Sequence, residues 1–351
     1  MFGYNSDLQS VSGLDGAGGL PFYGQPVFDS GGTALQPPAY TGIQALSELM
    51  FYLPPPGATR SLYQACADQS DSSARMLVNT PVNEIQNLGH GFSLISGDRP
   101  SIYVTHVVVA APIWAAQLSI SFSSFNSQTQ LPWAVPTAIS EQHLIASCKV
   151  FFPLRYAYWS HGLKIPQILV TDTFLQDAYG VSWSNSKDAA LLASYTWEDD
   201  AVKLLATDPD TLANNVLAKL DQITLATVGE KVSSYISGNG IVFQWTQQPT
   251  YSGCAKLYRQ RNWGQCYELI TYNQNYSAAS KLYFAGESYG TEGGWTEPAL
   301  RTALDAVIHL VNNTGGSFLN GFTFADYPRF DNSVLPNENY PQTSASKASA
   351  L

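Results

Sequence analysis

Residues 281 to 301 read Lys281-Leu-Tyr-Phe-Ala-Gly-Glu-Ser-Tyr-Gly-Thr-Glu-Gly-Gly-Trp-Thr-Glu-Pro-Ala-Leu-Arg301. Leu282 to Ala285 has the length and apolar composition of a buried strand. Gly293-Gly294 lets backbone come close to a ligand with no Cβ in the way, and Pro298 fits only the first turn of a helix. Leu300, Ala303, Leu304, Val307, Ile308 and Val311 then recur at helical spacing and predict a helix to about Asn312. Unpaired N–H groups at such a helix start stabilise a phosphate, a carboxylate or an anionic heterocycle. Read alone, the glycines fit a plain turn equally well.

Upstream, strands are predicted over Met76 to Ile85, from Gly91 through Phe-Ser-Leu-Ile, and from Tyr103 through Val-Val-Val-Ala-Ala-Pro to Trp114, because β-branched residues dominate. Leu191 to Asp200 reads as a strand running into a helix cap, with a helix opening at Asp210-Thr-Leu-Ala. Gln167 to Phe174 suggests a strand and Asp177-Ala-Tyr179 a turn. Residues 1 to 40 are rich in Gly, Ser and Pro, and short helices are expected over 42–52 and 62–66.

The chain of 351 residues is 45% hydrophobic and 13% aromatic, enough to bury a core and to hold two domains. Its net charge of −10 and lack of a basic stripe argue against a nucleic-acid surface. No 18-residue apolar run is present, so no membrane span is expected. The start lacks a basic region leading into an apolar segment, which makes the cytoplasm the default expectation, with a secreted or periplasmic setting also open. Cys66, Cys148, Cys254 and Cys266 show no CxxC spacing, and the adjacent Asp199 and Asp200 do not make a coordination shell, so no metal is expected. His143 and His161 have no adjacent partner and read as structural or surface residues.

The run at 281–301 resembles the C-terminal FAD-contacting motif of flavin-dependent amine oxidases, especially the L-amino-acid oxidase branch. The resemblance implies an α/β fold: an incomplete FAD-binding domain of the amine-oxidase type plus an α+β substrate domain with a mixed sheet. It implies that Gly286 and Glu287 face the ribityl–pyrophosphate part of FAD and that Gly294, Trp295 and Thr296 lie at the flavin ring. Val82 is carried over as a backbone contact to adenine, with ordinary strand packing as the alternative. Ser147-Cys148-Lys149-Val150-Phe151-Phe152 resembles the segment whose lysine holds a water near the flavin, although a lysine before apolar residues also reads as snorkelling. Tyr179 is implied as a carboxylate contact, or else a structural tyrosine. Tyr251 and Trp295 are implied as aromatic surroundings of the substrate, while Trp245 reads as site or core.

The resemblance further implies oxidation of a neutral or aromatic L-amino acid by FAD and oxygen to keto acid, ammonia and hydrogen peroxide. A flavin-dependent amino-acid 2-monooxygenase giving an amide is the alternative. No hydrophobic strand followed by GxGxxG and a helix is found, so a companion polypeptide is expected to bring that dinucleotide segment and an arginine for the substrate carboxylate. The assembly expected is a higher oligomer of such a heteromer. The missing fingerprint equally suits a noncatalytic, oxidase-derived scaffold or binding subunit. The expected organisation is substrate domain with N-terminal loops at 1–71, FAD domain at 72–115, main substrate domain at 116–277, FAD domain at 278–315, and an interface-bracing tail at 316–351.

Overall fold

The computed structural model describes residues 77–162, 164–182, 189–257, 263–290, 293–294, 296–318 and 321–327. In chain order, β1 (Glu84–Asn87), β2 (Phe92–Ile95), β3 (Ile102–Val104) and β4 (Val107–Val109) precede α1 (Ile113–Ser119), β5 (Ser121–Ser123) and α2 (Ala134–Glu141). Next come β6 (His143–Leu144), β7 (Ser147–Leu154), β8 (Ile168–Val170), β9 (Asp177–Ser182), β10 (Ala189–Trp197), α3 (Asp199–Val202), α4 (Pro209–Val228), β11 (Ile241–Gln244) and β12 (Lys256–Leu257). The last elements are α5 (Trp263–Ile270), α6 (Tyr272–Ser280), β13 (Leu282–Phe284) and α7 (Thr296–Asn313). The helices expected over 42–52 and 62–66 lie outside the described residues.

Two compact units result, one containing His143–Leu257 and one containing the described residues on either side of it. The cuts read from sequence fall at 115/116 and 277/278, whereas the compact units divide after Gln142 and after Leu257. Between the two sets of cuts lie most of α1, β5, α2, α5 and most of α6; α2 packs on α5, and α6 packs on β13.

In the His143–Leu257 unit, β11-β7-β10-β9-β8 form a sheet that is antiparallel throughout. Strand alternation divides β7: Cys148, Val150, Phe152 and Leu154 are buried in the core, while Lys149 and Phe151 on the other face are only partly covered. The core face is roofed by α4, whose Leu212, Val216 and Leu220 recur at a spacing of four and join the same cluster. The Asp208 carboxylate fixes where α4 starts by accepting from the Thr211 N–H at 2.9 Å, and Pro209 occupies the first turn without wasting a donor. Asp177 to Tyr179, expected as a turn, is strand β9 instead, because its backbone pairs with both β8 and β10.

In the other unit, β3-β2-β1-β5 make a mixed sheet, with β1 antiparallel to β2 and parallel to β5. The strand expected over 76–85 is confined to Glu84–Asn87, since Pro81 supplies no donor to a ladder. β4 and β13 pair in parallel, Val107 to Leu282 through Val109 to Phe284. Asn273, buried on α6, acts as a surrogate strand neighbour: its side-chain oxygen accepts from the Phe284 N–H and its amide donates to the Phe284 carbonyl, both at 2.9 Å. The same amide donates to Asp305 on α7 at 2.9 Å, and the Tyr327 hydroxyl donates to the other carboxylate oxygen at 3.0 Å. Replacing Asn273 by Ala strands the buried Phe284 N–H and carbonyl, so Asn273→Ala is expected to lower unfolding free energy by about 3 kcal/mol, read as the shift in the urea midpoint.

Candidate functional site

The carboxyl ends of β4 and β13 lead into two turns that are bolted together. After β4, the Ala111 carbonyl accepts from the buried Tyr289 hydroxyl at 3.0 Å, and the Ile113 N–H at the start of α1 donates to the Ser288 hydroxyl at 3.3 Å. Burial pushes the Tyr289 phenol well above the ordinary tyrosine range, so it stays a donor. After β13, Gly286 stands at φ +126, a conformation that L side chains rarely adopt. Its N–H donates at 2.8 Å to the Thr302 hydroxyl on α7, which itself lies 3.0 Å from the Gly286 carbonyl. The Glu287 carboxylate accepts from the Gly294 N–H at 2.6 Å, folding the glycine-rich loop back toward the strand end. Gly294 has φ +83, and a Cβ built there meets no atom within 4 Å, so the backbone is open on that side.

Of the residues nominated from sequence, Gly286, Glu287 and Gly294 therefore converge on one turn, and Thr296 is the first residue of α7. Trp295 lies outside the described residues. Val82, in the same unit, is half-buried just before β1 and outside the strand. A cavity of about 740 Å³ in this unit is bordered by Leu88, Phe92, Tyr103, His106, Leu310 and Val311; none of the nominated residues lines it.

Lys149, Tyr179 and Tyr251 belong to the His143–Leu257 unit and are joined through aromatic rings. Lys149 pairs across the ladder with Tyr195 and with Phe243, and its ammonium lies 4.7 Å from the Tyr195 ring centre and 5.7 Å from that of Trp245. Such a cation is stabilised by the ring quadrupoles while keeping its donors. Tyr179 reaches the group through Tyr195, ring centres 6.5 Å apart, and Tyr195 through Trp197 at 5.4 Å. Trp245 stacks edge-on with Phe243 at 4.7 Å and with the partly exposed Tyr251 at 5.1 Å. The Trp245 indole N–H is buried without a hydrogen-bond partner, as is the hydroxyl of Ser147 on the next row of β7.

Tyr195 and Trp197, which link the nominated residues, were not singled out from sequence. Their signal was the alternation Ser194-Tyr195-Thr196-Trp197, which puts rings on one face and small polar groups on the other. Cys148 points the other way, and burial raises its thiol to about 11, which keeps it unreactive. Among the described residues no group of three His, Cys, Asp or Glu could hold a metal ion, and no helix is long and apolar enough to cross a membrane.

Residues 26–310 match the family described as flavin containing amine oxidoreductase, and the chain belongs to that family. The chain is similar to tryptophan 2-monooxygenase of Pseudomonas savastanoi, 26% identical over 84% of this chain and 54% of that protein. It is also similar to the L-amino-acid oxidase of Mus musculus, 27% identical over 51% of this chain and 27% of that protein. Among solved structures, cyclohexylamine oxidase from Brevibacterium oxydans IH-35A superposes with a TM-score of 0.53 at 18% identity, covering 68% of this chain and 49% of that one, and shows the shared fold. The chain spans about half the length of the first relatives it matches. FAD is the cofactor that the family implies, and the open backbone at Gly294, the left-handed Gly286 and the strand ends beside them fit a flat ligand approaching main chain.

Burial first, then the hydrogen bond and charge of Asp177, push the Tyr179 phenol up to about 12. It therefore stays protonated throughout the neutral range, with its single O–H proton donated to Asp177. Asp177→Asn removes the two acidic contributions and leaves burial, so the Tyr179 pKa is expected to fall toward, without reaching, the free value of about 10. Ultraviolet pH titration, with Tyr179→Phe subtracted, measures it.

Proposed function

We propose that this chain is part of an FAD-dependent enzyme that oxidises an aromatic L-amino acid, and that it works as an amino-acid 2-monooxygenase. The observation that carries the reading is the aromatic row Tyr179, Tyr195, Trp197, Phe243, Trp245 and Tyr251 built around Lys149, a surface suited to a planar side chain. The similarity to tryptophan 2-monooxygenase over most of this chain supports the monooxygenase reading over the oxidase one. The second reading, an L-amino-acid oxidase giving keto acid, ammonia and peroxide, draws on the shorter similarity to the mouse L-amino-acid oxidase.

Each residue then has a physical task. Gly286 and Glu287 would hold the ribityl–pyrophosphate part of FAD, Gly294, Trp295 and Thr296 the flavin ring, and the Val82 backbone adenine. Bound there, FAD would supply the two-electron redox chemistry between amino acid and oxygen. Tyr179 is assigned to the substrate carboxylate, a role that requires its single O–H proton to turn from Asp177 to the ligand, and Tyr251 supplies an aromatic edge for the side chain. Lys149 supplies a fixed positive charge that orients water or oxygen. A companion segment carrying GxGxxG supplies the pyrophosphate cradle, because no such motif lies in this sequence.

The assay is turnover of an L-tryptophan and L-phenylalanine panel by the flavin-loaded assembly. Amide and carbon dioxide in equal amounts are expected; keto acid, ammonia and peroxide instead would select the oxidase reading, and no turnover with FAD bound would leave a scaffold. Lys149→Met is expected to lower kcat by about a hundredfold while the flavin absorbance of the purified assembly stays unchanged.

A further inference from the structure

Glu198 follows Trp197 directly and carries a backbone conformation of φ 51 and ψ −127, with no side-chain bond capping the short α3 that it precedes. Glycine adopts this region freely; a glutamate there is strained and persists only where its surroundings impose the conformation. The surroundings are specific. The Glu198 carboxylate meets the His143 imidazole Nε2 at 2.6 Å, with the two side chains only 17% and 8% exposed. The Glu198 N–H donates to the Ala146 carbonyl at 2.8 Å, and its own carbonyl accepts from Ala201 and Val202 at 2.9 and 2.8 Å.

His143 belongs to the β6–β12 ribbon, where it stands opposite Leu257. The Trp197 side chain packs on the Ile145, Ala255 and Leu257 cluster that this ribbon carries. The contact between His143 and Glu198 therefore closes a loop: ribbon, Trp197, Glu198, and back to the ribbon. Trp197 in turn touches Tyr195, and Tyr195 carries the Lys149 ammonium.

We propose that His143 and Glu198 form a latch that positions the Trp197 ring, and through it Tyr195 and Lys149, for an aromatic substrate. Neither residue touches substrate; both are positioning residues. The proposal rests on the reading of the aromatic face as the amino-acid site. The retained glutamate is its physical signature. A turn with only a conformational task is satisfied by glycine without strain, whereas the carboxylate is required to reach His143.

The test uses the purified flavin-loaded assembly that contains this chain and four variants of it. Glu198→Gly accepts the backbone and loses the carboxylate, Glu198→Gln keeps an acceptor for His143, His143→Phe removes the donor, and Trp197→Phe gives the reference signal of a displaced indole. Near-ultraviolet circular dichroism reads ring placement, and fluorescence titration with indole-3-propionate, a non-reacting aromatic carboxylate, reads affinity. Glu198→Gly and His143→Phe are expected to fold cooperatively, to move the dichroism toward that of Trp197→Phe, and to weaken the probe by about tenfold, equivalent to about 1.4 kcal/mol. Glu198→Gln is expected to stay within about twofold of the parent on the same scale.

A Glu198→Gly protein with parental dichroism and affinity overturns the latch, as does one that loses cooperative folding together with Glu198→Gln. If the parent does not bind the probe while Glu198→Gly still shifts the dichroism, the latch stands as a ring-positioning device and the amino-acid reading of the face falls.

Discussion

Phe284 takes its sideways hydrogen bonds from a side chain, Asn273, and this substitution of a side chain for a strand is what the turn after β13 depends on. A strand of three residues with one parallel neighbour among the described residues holds few ladder bonds, and parallel pairs are the weaker kind. Left with open donors and acceptors, a buried Phe284 would be unstable. Asn273 closes that deficit and ties the strand to Asp305, so that β13, α6 and α7 share one buried polar junction. From there the chain enters Gly286 at a fixed angle, and Thr302 on α7 holds the glycine's N–H and carbonyl together. The turn after β13 is thus anchored both by polar contacts and by packing, the Tyr289 ring stacking on Phe284 at 5.0 Å.

The other unit solves a different problem with one sheet. One face of β7 and β10 carries Val150, Phe152, Leu191 and Ala193 into the core beneath α4; the opposite face carries Lys149, Tyr195 and Trp197. Both faces are apolar, yet they differ in kind. The core face is mainly aliphatic, with Phe152 among its residues, and closely covered, which favours density. The other uses wide rings with polar edges around one cation, which favours recognition of a flat ligand. A slip of one residue in the β7–β10 pairing would exchange the two sets, so the buried core fixes the register of the aromatic face.

The glycine-rich run was legible because its information is local. A short apolar strand, two glycines, a proline and a helical repeat follow one another within a few turns of chain, and the strand and helix stand where those signals put them. Lys149, Tyr179 and Tyr251 were nominated by resemblance, but what unites them was not visible, since Tyr195, Trp197 and Trp245 come together only through the ladder register. Asn273 and Thr302 gave no signal at all: on a helix each looks neutral, and its value lies in a backbone group of another element. His143 seemed to lack a partner for the same reason, as Glu198 is 55 residues away. Tyr179 was misplaced onto a turn because only its pairing with β8 and β10 reveals a strand.

Gly286 and Glu198 both stand at positive φ, and the chemistry of the two differs. Gly286, at φ +126, has no side chain; its N–H donates to the Thr302 hydroxyl, and the side where a Cβ would stand faces the Tyr289 ring. Glu198, at φ 51, occupies a comparably restricted region with a long charged side chain that points back to His143. If both positions served only to turn the chain, glycine would serve at both with less strain. The two positions therefore differ in kind: at Gly286 the backbone itself makes the contact, to the Thr302 hydroxyl, whereas at Glu198 a side chain does, to His143.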